Sequence, residues 1–376
     1  MKRVAVLTFH RANNYGALLQ AHALSHVINR LGANGEVLDY RPCAMETFYH
    51  SFIPRVKRVK SFLLLLLYRI FRDAKTRRRF AEFRRDMMRV SAQVYRSLSE
   101  LKMANELYDV FIVGSDQVWN PEIVKTFGED SDLAYLLDFV QDAGKKKSYA
   151  ASIGVSVLND QTGALYRDKL SDFSTISVRE HNAAELLAPL LNRQVRTVCD
   201  PVLLMSAEEW AEFERPYKLP NNDYILVYSV GGGRELLPYA GQLAAQERCA
   251  VYTIQPPIVG TASYCQKQRL TGVGPAEFIW LIHHARAVVT SSFHGSAFSL
   301  LFQKELHVRQ ESRLKQNHRN SRFDSLFKYF CVTDVHCGAK EGSGDDFIVI
   351  LPEGQKRSVF ECNRSAALDF LRFMIQ

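Results

Sequence analysis

The sequence predicts an α/β fold of two doubly wound domains, and three observations carry this prediction. Short apolar strands alternate with amphipathic helices along most of the chain, a pattern typical of parallel sheets covered by helices. The chain has 376 residues, about twice the usual size of one domain. A polar, proline-bearing stretch without hydrophobic periodicity separates two such series. We therefore expect an N-terminal domain over residues 1–213, a linker over 214–223 and a C-terminal domain over 224–376.

The first forty residues predict the strand, helix, strand unit from which parallel sheets are built. Residues 4–9 are β-branched and apolar, residues 24–31 carry apolar side chains at helical spacing, and residues 36–40 have the composition of a second strand. Gly32 stands where that helix would end. In the rest of this domain we expect strands at 108–113, 147–153, 175–178 and 196–199, and a helix at 183–191.

The second half repeats the alternation. We expect strands at 224–230, 250–254 and 287–290, and helices from residue 234, at 275–285 and after residue 290. In open sheets of this kind, ligands bind beyond the carboxyl ends of the strands. Candidate functional residues are therefore expected in the loops that follow strands.

The net charge of +8 is concentrated in one segment, residues 54–89, which we call the basic insert. It holds thirteen basic and three acidic residues, a net charge of +10, so the remainder carries −2. That distribution argues against a nucleic-acid-binding surface, which needs many placed cations.

The basic insert contains an apolar run at residues 62–68, far short of the roughly 20 residues that a membrane-spanning helix needs. Three alternatives remain open: an amphipathic helix on an anionic membrane surface, a contact with a second subunit in a homo-oligomer, or packing onto the N-terminal domain. The N-terminus shows no secretory signal, so we expect a cytoplasmic protein, peripheral to the membrane under the first alternative.

No metal site is expected from the cysteine and histidine pattern. The seven cysteines are scattered and form no CxxC pair. His22 and His26 have metal-ligand spacing on a helix, but apolar neighbours favour packing. His283 and His284 are expected to face different sides of their helix.

Four loops at the ends of predicted strands place polar groups at the start of a helix, where free backbone N–H groups and the helix dipole favour an anion. They are residues 13–16, 114–120, 177–180 and 291–295. For either of the first two loops taken alone, turn and capping chemistry is the favoured interpretation.

Two residues in the other loops stand out. The planar fork of Arg179 matches carboxylate and phosphate oxygens, although pairing with Glu180 is an alternative of equal weight. His294 lies between a serine and a glycine at a strand end, which suits a general acid or base.

Five motifs occur in order over most of the chain: Asn14-Tyr15-Gly16-Ala17-Leu18-Leu19-Gln20, Val113-Gly114-Ser115-Asp116-Gln117-Val118-Trp119, Ile176-Ser177-Val178-Arg179-Glu180, Asp200-Pro201, and the stretch from Thr290 to Ser299 that contains Ser292-Phe293-His294-Gly295. This ordered set resembles the polysaccharide pyruvyl transferase family. The resemblance implies two Rossmann-like domains that face a cleft, as in B-type glycosyltransferases. It also implies transfer of pyruvate from phosphoenolpyruvate to a saccharide, as a ketal, in surface polysaccharide biosynthesis.

The resemblance further implies the partners and the site. Phosphoenolpyruvate is the donor substrate, a saccharide or lipid-linked oligosaccharide is the acceptor, and no cofactor or metal is required. His294 would protonate the methylene carbon or carry the proton of the acceptor hydroxyl. Asp116 is the candidate for activating the acceptor, because this chain has Ala17 where some family members have an acidic residue. The residues expected to bind substrate are Arg179, Ser292, Gly295, Arg322, Asn320, Asn14, Tyr15, Gly16 and Ser115.

Two other functions remain open. The glycines at 231–233 and the paired domains are compatible with a glycosyltransferase that uses a nucleotide sugar. The presence of Ala17 is compatible with a catalytically silent saccharide-binding protein. A solvated charge run is likewise an alternative to an anion site for Arg322 and its neighbours Lys315 and Arg319.

Overall fold

The computed structural model describes residues 1–42, 74–127, 131–230, 236–254, 269–309, 318–332, 336–338, 347–354 and 356–376. The strands are β1 Arg3–Leu7, β2 Asn34–Tyr40, β3 Val90–Tyr95, β4 Val110–Val113, β5 Lys146–Ser148, β6 Ser177–Val178, β7 Arg196–Thr197, β8 Tyr224–Tyr228, β9 Ala250–Ile254, β10 Ala287–Thr290, β11 Glu305–Arg309, β12 His336–Gly338 and β13 Phe347–Ile350. The helices are α1 Tyr15–Arg30, α2 74–87, α3 Leu98–Leu101, α4 Pro121–Val124, α5 Ser131–Tyr135, α6 Asp160–Ser171, α7 His181–Leu191, α8 Ala207–Ala211, α9 Leu236–Glu247, α10 Pro275–His283, α11 Phe293–Leu301, α12 His318–Tyr329 and α13 Arg357–Ile375.

The first sheet has the order β3-β2-β1-β4-β5, and each of its neighbouring pairs is parallel. The chain moves outward from β1 to β3 and then returns to place β4 on the other side of β1. This reversal creates a crevice between the loops that follow β1 and β4. The short pair β6 and β7 adjoins the sheet through a bridge between Ala151 and Val178.

The second sheet has the order β12-β13-β11-β10-β8-β9. The neighbouring strands β9, β8, β10 and β11 are parallel, whereas β13 and β12 form an antiparallel edge. The strand order reverses between β8 and β10, so the second crevice lies beyond those two strands. Both sheets are therefore doubly wound and Rossmann-like, and the predicted B-type glycosyltransferase-like fold class is confirmed.

Most predicted elements are present; several strands are shorter than expected, whereas β9 and β10 have the expected bounds. The strand expected at 147–153 ends at Ser148, because Ala150 has a φ of 51° that extended backbone does not allow. The glycines at 231–233 and the apolar run at 62–68 lie outside the described residues.

Helix α1 lies at the junction of the two domains. The ring of Tyr15 stacks on that of Phe278 with centroids 4.5 Å apart, and its hydroxyl donates to the carbonyl of Val273 at 2.9 Å. The last helix, α13, returns to the N-terminal domain, where Lys147 Nζ donates to the carbonyl of Met374. Residues 357–375 belong to the predicted C-terminal domain by sequence but also contact the N-terminal domain. A single domain boundary at the linker does not describe this contact.

The described part of the basic insert belongs to the body of the protein. Phe80 and Phe83 of α2 are buried in the core, and Arg79 forms an ion pair with Glu277 of the C-terminal domain. Residues 74–89 thus pack onto the domain and reach the second domain as well, whereas the apolar run for which the three alternatives were stated lies outside the described residues. Among the described residues, no helix has the length and hydrophobicity needed to span a membrane.

Candidate active site

The two crevices meet where α1 and α11 begin. Thr8, just after β1, donates from Oγ1 to the carbonyl of Ser115, just after β4, at 2.9 Å. In the other domain the hydroxyls of Ser229 and Ser291 lie 3.3 Å apart, just beyond β8 and β10. Both switch points therefore contribute to one interdomain site.

The carboxylate of Asp200 is the centre of this site. Its Oδ2 accepts hydrogen bonds from Ser115 Oγ and Arg179 Nη1, each at 3.0 Å, while Oδ1 accepts from the backbone N–H of Val202 at 3.1 Å. His294 Nε2 lies 3.5 Å from the same Oδ2. We call Asp200, Arg179, Glu180, Ser115 and His294 the His294 cluster.

Burial and pairing have opposite effects on the pKa of Asp200. Burial favours the neutral acid and raises this pKa, but the charge of His294, its hydrogen bond and the charge of Arg179 outweigh burial and hold the pKa well below its usual range. Asp200 is therefore a carboxylate in the folded protein, placed to orient the imidazole of His294.

Arg179 is held by two carboxylates. Its Nε and Nη2 donate to Glu180 Oε1 at 2.9 and 2.8 Å, and its guanidinium lies over the ring of Phe293 at 4.3 Å. Burial alone would lower the pKa of Arg179, but the charges of Glu180, Asp200 and Asp116 raise it. The pairing with Glu180 is thus real, although it is buried within the site rather than solvated at the surface.

His294 is the second residue of α11 and is 8% exposed. Its Nε2 is buried and faces Asp200 Oδ2 at 3.5 Å, and no closer partner for this atom is found within the described ranges. Gly16, in the first turn of α1, packs directly on the imidazole, because a methyl group added at Gly16 would overlap Nδ1. The predicted residues Gly16 and His294 therefore meet across the domain junction, with Nε2 facing Asp200 and Nδ1 beside Gly16.

Two of the predicted binding residues act as helix caps. Asn14 accepts from the backbone N–H of Ala17 at 3.2 Å, and Ser292 accepts from that of Gly295 at 3.3 Å. These bonds satisfy otherwise unpaired N–H groups of α1 and α11. The capping interpretation holds for Asn14, and Ser292, for which capping was not predicted, acts in the same way; the two caps fix the positions of Gly16 and His294.

Asp116 and Ser115 follow β4. Ser115 is fully buried, whereas Asp116 is half-buried and has a φ of 70°. Asp116 Oδ1 accepts from the backbone N–H of Gln117 at 2.9 Å. Asp116 is thus more accessible than the carboxylates of Glu180 and Asp200.

The remaining predicted residues lie at the margins. Tyr15 is buried and its hydroxyl is occupied by Val273, so the structure gives it a packing role. Arg322 lies on α12, whose Ser321 donates to Asn182 Oδ1 at 3.0 Å, beside the start of α7 that directly follows Glu180. Asn320 belongs to α12, but its side chain lies outside the described residues.

Sequence reasoning gave no role to Asp200 or Gln20, although both lie in the five motifs. Gln20 donates to Thr8 Oγ1 at 2.8 Å and accepts from the backbone N–H of Ser115 at 3.0 Å, which joins the loops after β1 and β4. Asp200 was visible as an Asp-Pro pair after a strand. Nothing local in that pair signals that it would meet a histidine from the other domain.

His283 and His284 do not face different sides of their helix. Their rings lie 4.9 Å apart, and their Nδ1 atoms are 2.5 and 4.0 Å from the two carboxylate oxygens of Glu214. The prediction was wrong because α10 ends at His283, so His284 no longer follows helical spacing. This group is separate from the His294 cluster.

A search of curated proteins finds no significant match. Among solved structures, the chain is similar to UDP-GlcNAc 2-epimerase from Neisseria meningitidis bound to UDP-GlcNAc, with 11% identity, 88% of this chain and 90% of that chain covered, and a TM-score of 0.47. It is also similar to UDP-N-acetylglucosamine 2-epimerase from Rickettsia bellii, with 10% identity, 99% and 97% coverage and a TM-score of 0.43. A third similar structure is the glycosyltransferase SnogD from Streptomyces nogalater, with 14% identity, 100% and 95% coverage and a TM-score of 0.40.

These similarities concern the fold alone. The five sequence motifs indicate a protein family as well as a fold. The model of the polysaccharide pyruvyl transferase family matches residues 14–308, a span that contains the complete His294 cluster. The chain therefore belongs to the polysaccharide pyruvyl transferase family.

Proposed function

We propose that this protein transfers pyruvate from phosphoenolpyruvate to two hydroxyls of a saccharide, forming a ketal, in surface polysaccharide biosynthesis. The observation that carries the proposal is the meeting of His294, from one domain, with the buried carboxylate of Asp200, from the other. An imidazole oriented by a carboxylate at a domain junction can transfer protons to and from a substrate held there.

The reaction needs one proton transfer to carbon and one to phosphate. The first acceptor hydroxyl adds to C2 of the donor while its proton ends on C3, which becomes the methyl group. The second hydroxyl then forms the other C–O bond, the C2–O bond to phosphate breaks, and the second proton leaves on inorganic phosphate. Protonation at C3 generates an oxocarbenium-like centre at C2, so a placed general acid lowers the main barrier.

His294 is proposed as that acid, with Asp200 as its positioning residue. Arg179 and Glu180 hold Asp200 as a carboxylate in a fixed place, because Arg179 bridges the two acids. Asp116, the more accessible carboxylate, is proposed to accept the proton of the acceptor hydroxyl. Arg322 is proposed to contribute to binding the carboxylate and phosphate of the donor.

The test combines donor binding with turnover. Wild-type protein should bind phosphoenolpyruvate in calorimetry and release phosphate from it when a panel of methyl hexosides and a diphosphate-linked hexose is supplied. His294→Gln should retain binding and lose phosphate release by about 10²-fold or more. His284→Gln, at an exposed histidine outside the cluster, is the matched control and should behave as wild type.

Other results would separate the alternative functions. Turnover of a nucleotide sugar without any requirement for phosphoenolpyruvate would indicate a glycosyltransferase instead. Saccharide binding with neither donor binding nor turnover would indicate a catalytically silent protein. We also propose that the acceptor is lipid-linked and that the protein works at the inner face of the membrane, which co-sedimentation with anionic vesicles would test.

A further inference from the structure

A second polar cavity lies outside the His294 cluster. It has a volume of about 530 Å³ and opens between α2, the loop after β1 and the end of β2. We call it the arginine pocket, because its described lining includes Arg11, Arg41, Arg77, Arg78, Arg84 and Arg85.

Helix α2 contributes one whole face to the arginine pocket. Arginines at 77, 78, 84 and 85 surround Ala81 at helical spacing, and the small alanine leaves space at the centre. The neighbouring face carries Phe80 and Phe83 into the core. The buried apolar face fixes the rotation of α2 about its axis. As a result, the arginines of the neighbouring face point into the cavity.

The described lining of the pocket is rich in arginine. It contains six arginines and one carboxylate, Asp39. Two of the arginines form ion pairs outside the lining, Arg78 with Glu82 and Arg85 with Asp86. Asp39 is occupied by Arg41, through contacts of 2.8 and 2.6 Å, and by His10 at 3.1 Å. A single carboxylate or phosphate engages one or two such forks, so this number of arginines suits two linked phosphates.

The arginine pocket is close to the His294 cluster. Asn13 lines the pocket and accepts from Arg84 Nη2 at 3.1 Å, whereas Gly16, three residues later, packs on the imidazole of His294. Three peptide units span at most about 11 Å between Cα atoms. A saccharide attached to a group held in the pocket could therefore reach His294.

We propose that the arginine pocket binds the diphosphate group of the saccharide acceptor. The identification of the ligand as the acceptor rests on the proposed function, but diphosphate binding itself does not. The ligand would be a saccharide attached through a diphosphate group. That diphosphate would belong either to a lipid carrier or to a nucleotide sugar.

The first experiment is calorimetry of full-length protein with inorganic diphosphate at low ionic strength. Wild type should bind, and the double variant Arg77→Gln, Arg78→Gln should bind at least tenfold more weakly. Arg167→Gln, Arg372→Gln removes the same charge from exposed positions on α6 and α13 and should match wild type. Absence of binding by wild type, or equal binding by both double variants, would overturn the proposal.

A competition experiment separates this site from donor binding. Phosphoenolpyruvate should not displace inorganic diphosphate, since the donor is assigned to the His294 cluster; mutual displacement would overturn that separation. If diphosphate binds as expected but no phosphate is released from the donor, the proposed function fails while the arginine pocket stands.

A third experiment identifies the source. A hexose linked to a short polyprenyl diphosphate and a hexose linked to a nucleoside diphosphate are compared as acceptors in the phosphate-release assay. The true source should show the lower KM, and Arg77→Gln, Arg78→Gln should raise that KM with little change in kcat. Equal use of a hexoside without diphosphate would count against the pocket as the acceptor site.

Discussion

The His294 cluster and the arginine pocket lie on either side of the start of α1, but their charged side chains differ in burial and exposure. In the cluster, the side chains of Arg179 and Asp200 are 4% and 0% exposed and neutralise each other. In the pocket, the side chains of Arg78 and Arg85 are 80% and 72% exposed, and their ion pairs with Glu82 and Asp86 are in contact with solvent. Paired buried charges fix geometry, whereas accessible like charges attract a ligand from solution. The cluster should therefore be sensitive to single atoms and the pocket to ionic strength.

The largest effect is expected from Asp200→Asn. This change leaves Arg179 and His294 without the carboxylate that both approach, in a site closed to water. Breaking a buried ion pair in this way costs about 3–5 kcal/mol of unfolding free energy. Urea denaturation should show that loss, and phosphate release should be abolished.

Ser115→Ala is the control for Asp200→Asn. It removes one hydrogen bond to the same carboxylate and should cost only about 1 kcal/mol. If Asp200→Asn were no more destabilising than Ser115→Ala, the charge on Asp200 would not be the centre of the cluster.

The next effect is steric and tests the junction. Gly16→Ala places a methyl group on the imidazole of His294, and overpacking of this kind costs about 1–3 kcal/mol. Gly241→Ala, at an exposed helical glycine with open space around it, should instead stabilise the protein by about 0.5–1 kcal/mol. Thermal unfolding of both variants, with phosphate release for the first, checks the contrast.

Either result for Gly16→Ala bears on the contact between α1 and α11. A stabilising Gly16→Ala with unchanged turnover would show that α1 and α11 are farther apart in solution. A destabilised and inactive variant would support direct contact between the two domains at the catalytic histidine.

The sequence predicted the cluster better than the pocket, and the reason is physical. His294 and Arg179 follow strands of different sheets, and in a fold of two doubly wound domains that face a cleft the carboxyl ends of both sheets border that cleft. Their convergence could therefore be expected without knowing the packing. The partner of both, Asp200, could not be assigned, because an Asp-Pro pair after a strand is also ordinary turn chemistry.

The basic insert shows the limit of reasoning from composition. Its charge lies in residues 54–89, but composition did not show that α2 packs into the body of the protein, where Phe80 and Phe83 enter the core. The sequence places arginines and phenylalanines on this helix; it does not say which surface receives each face. That depends on long-range partners such as Glu277 and Asn13, which lie in distant parts of the chain.

A moderate, pH-dependent effect concerns the support of the arginine pocket. His22 is buried beneath α2 against Phe83, and burial, with a smaller contribution from His26, lowers the pKa of His22 from 6.5 to about 3. At pH values between about 3 and 6.5, His22 binds a proton in the unfolded state but not in the folded state. Stability should therefore fall as pH decreases below 6.5, by up to about 1.4 kcal/mol per pH unit from this group.

His22→Leu isolates that contribution. Urea denaturation between pH 4 and 7 should show a flatter pH dependence for the variant than for wild type, since leucine has no proton to bind in the unfolded state. Parallel pH profiles for the two proteins would mean that His22 is protonated equally in the folded and unfolded states.

The smallest effect on stability, and the one that best separates the two regions, is the response to salt. Raising ionic strength from about 0.01 to 0.15 M shortens the screening length from about 30 to 8 Å. It should raise the KM of a diphosphate-linked acceptor while changing kcat and the unfolding free energy little. In Arg77→Gln, Arg78→Gln the KM should already be high at low salt and its dependence on salt should be weaker, because fewer accessible charges remain to be screened. A salt-sensitive kcat with a constant KM would reverse the assignment, placing the accessible charge at the His294 cluster and not at the arginine pocket.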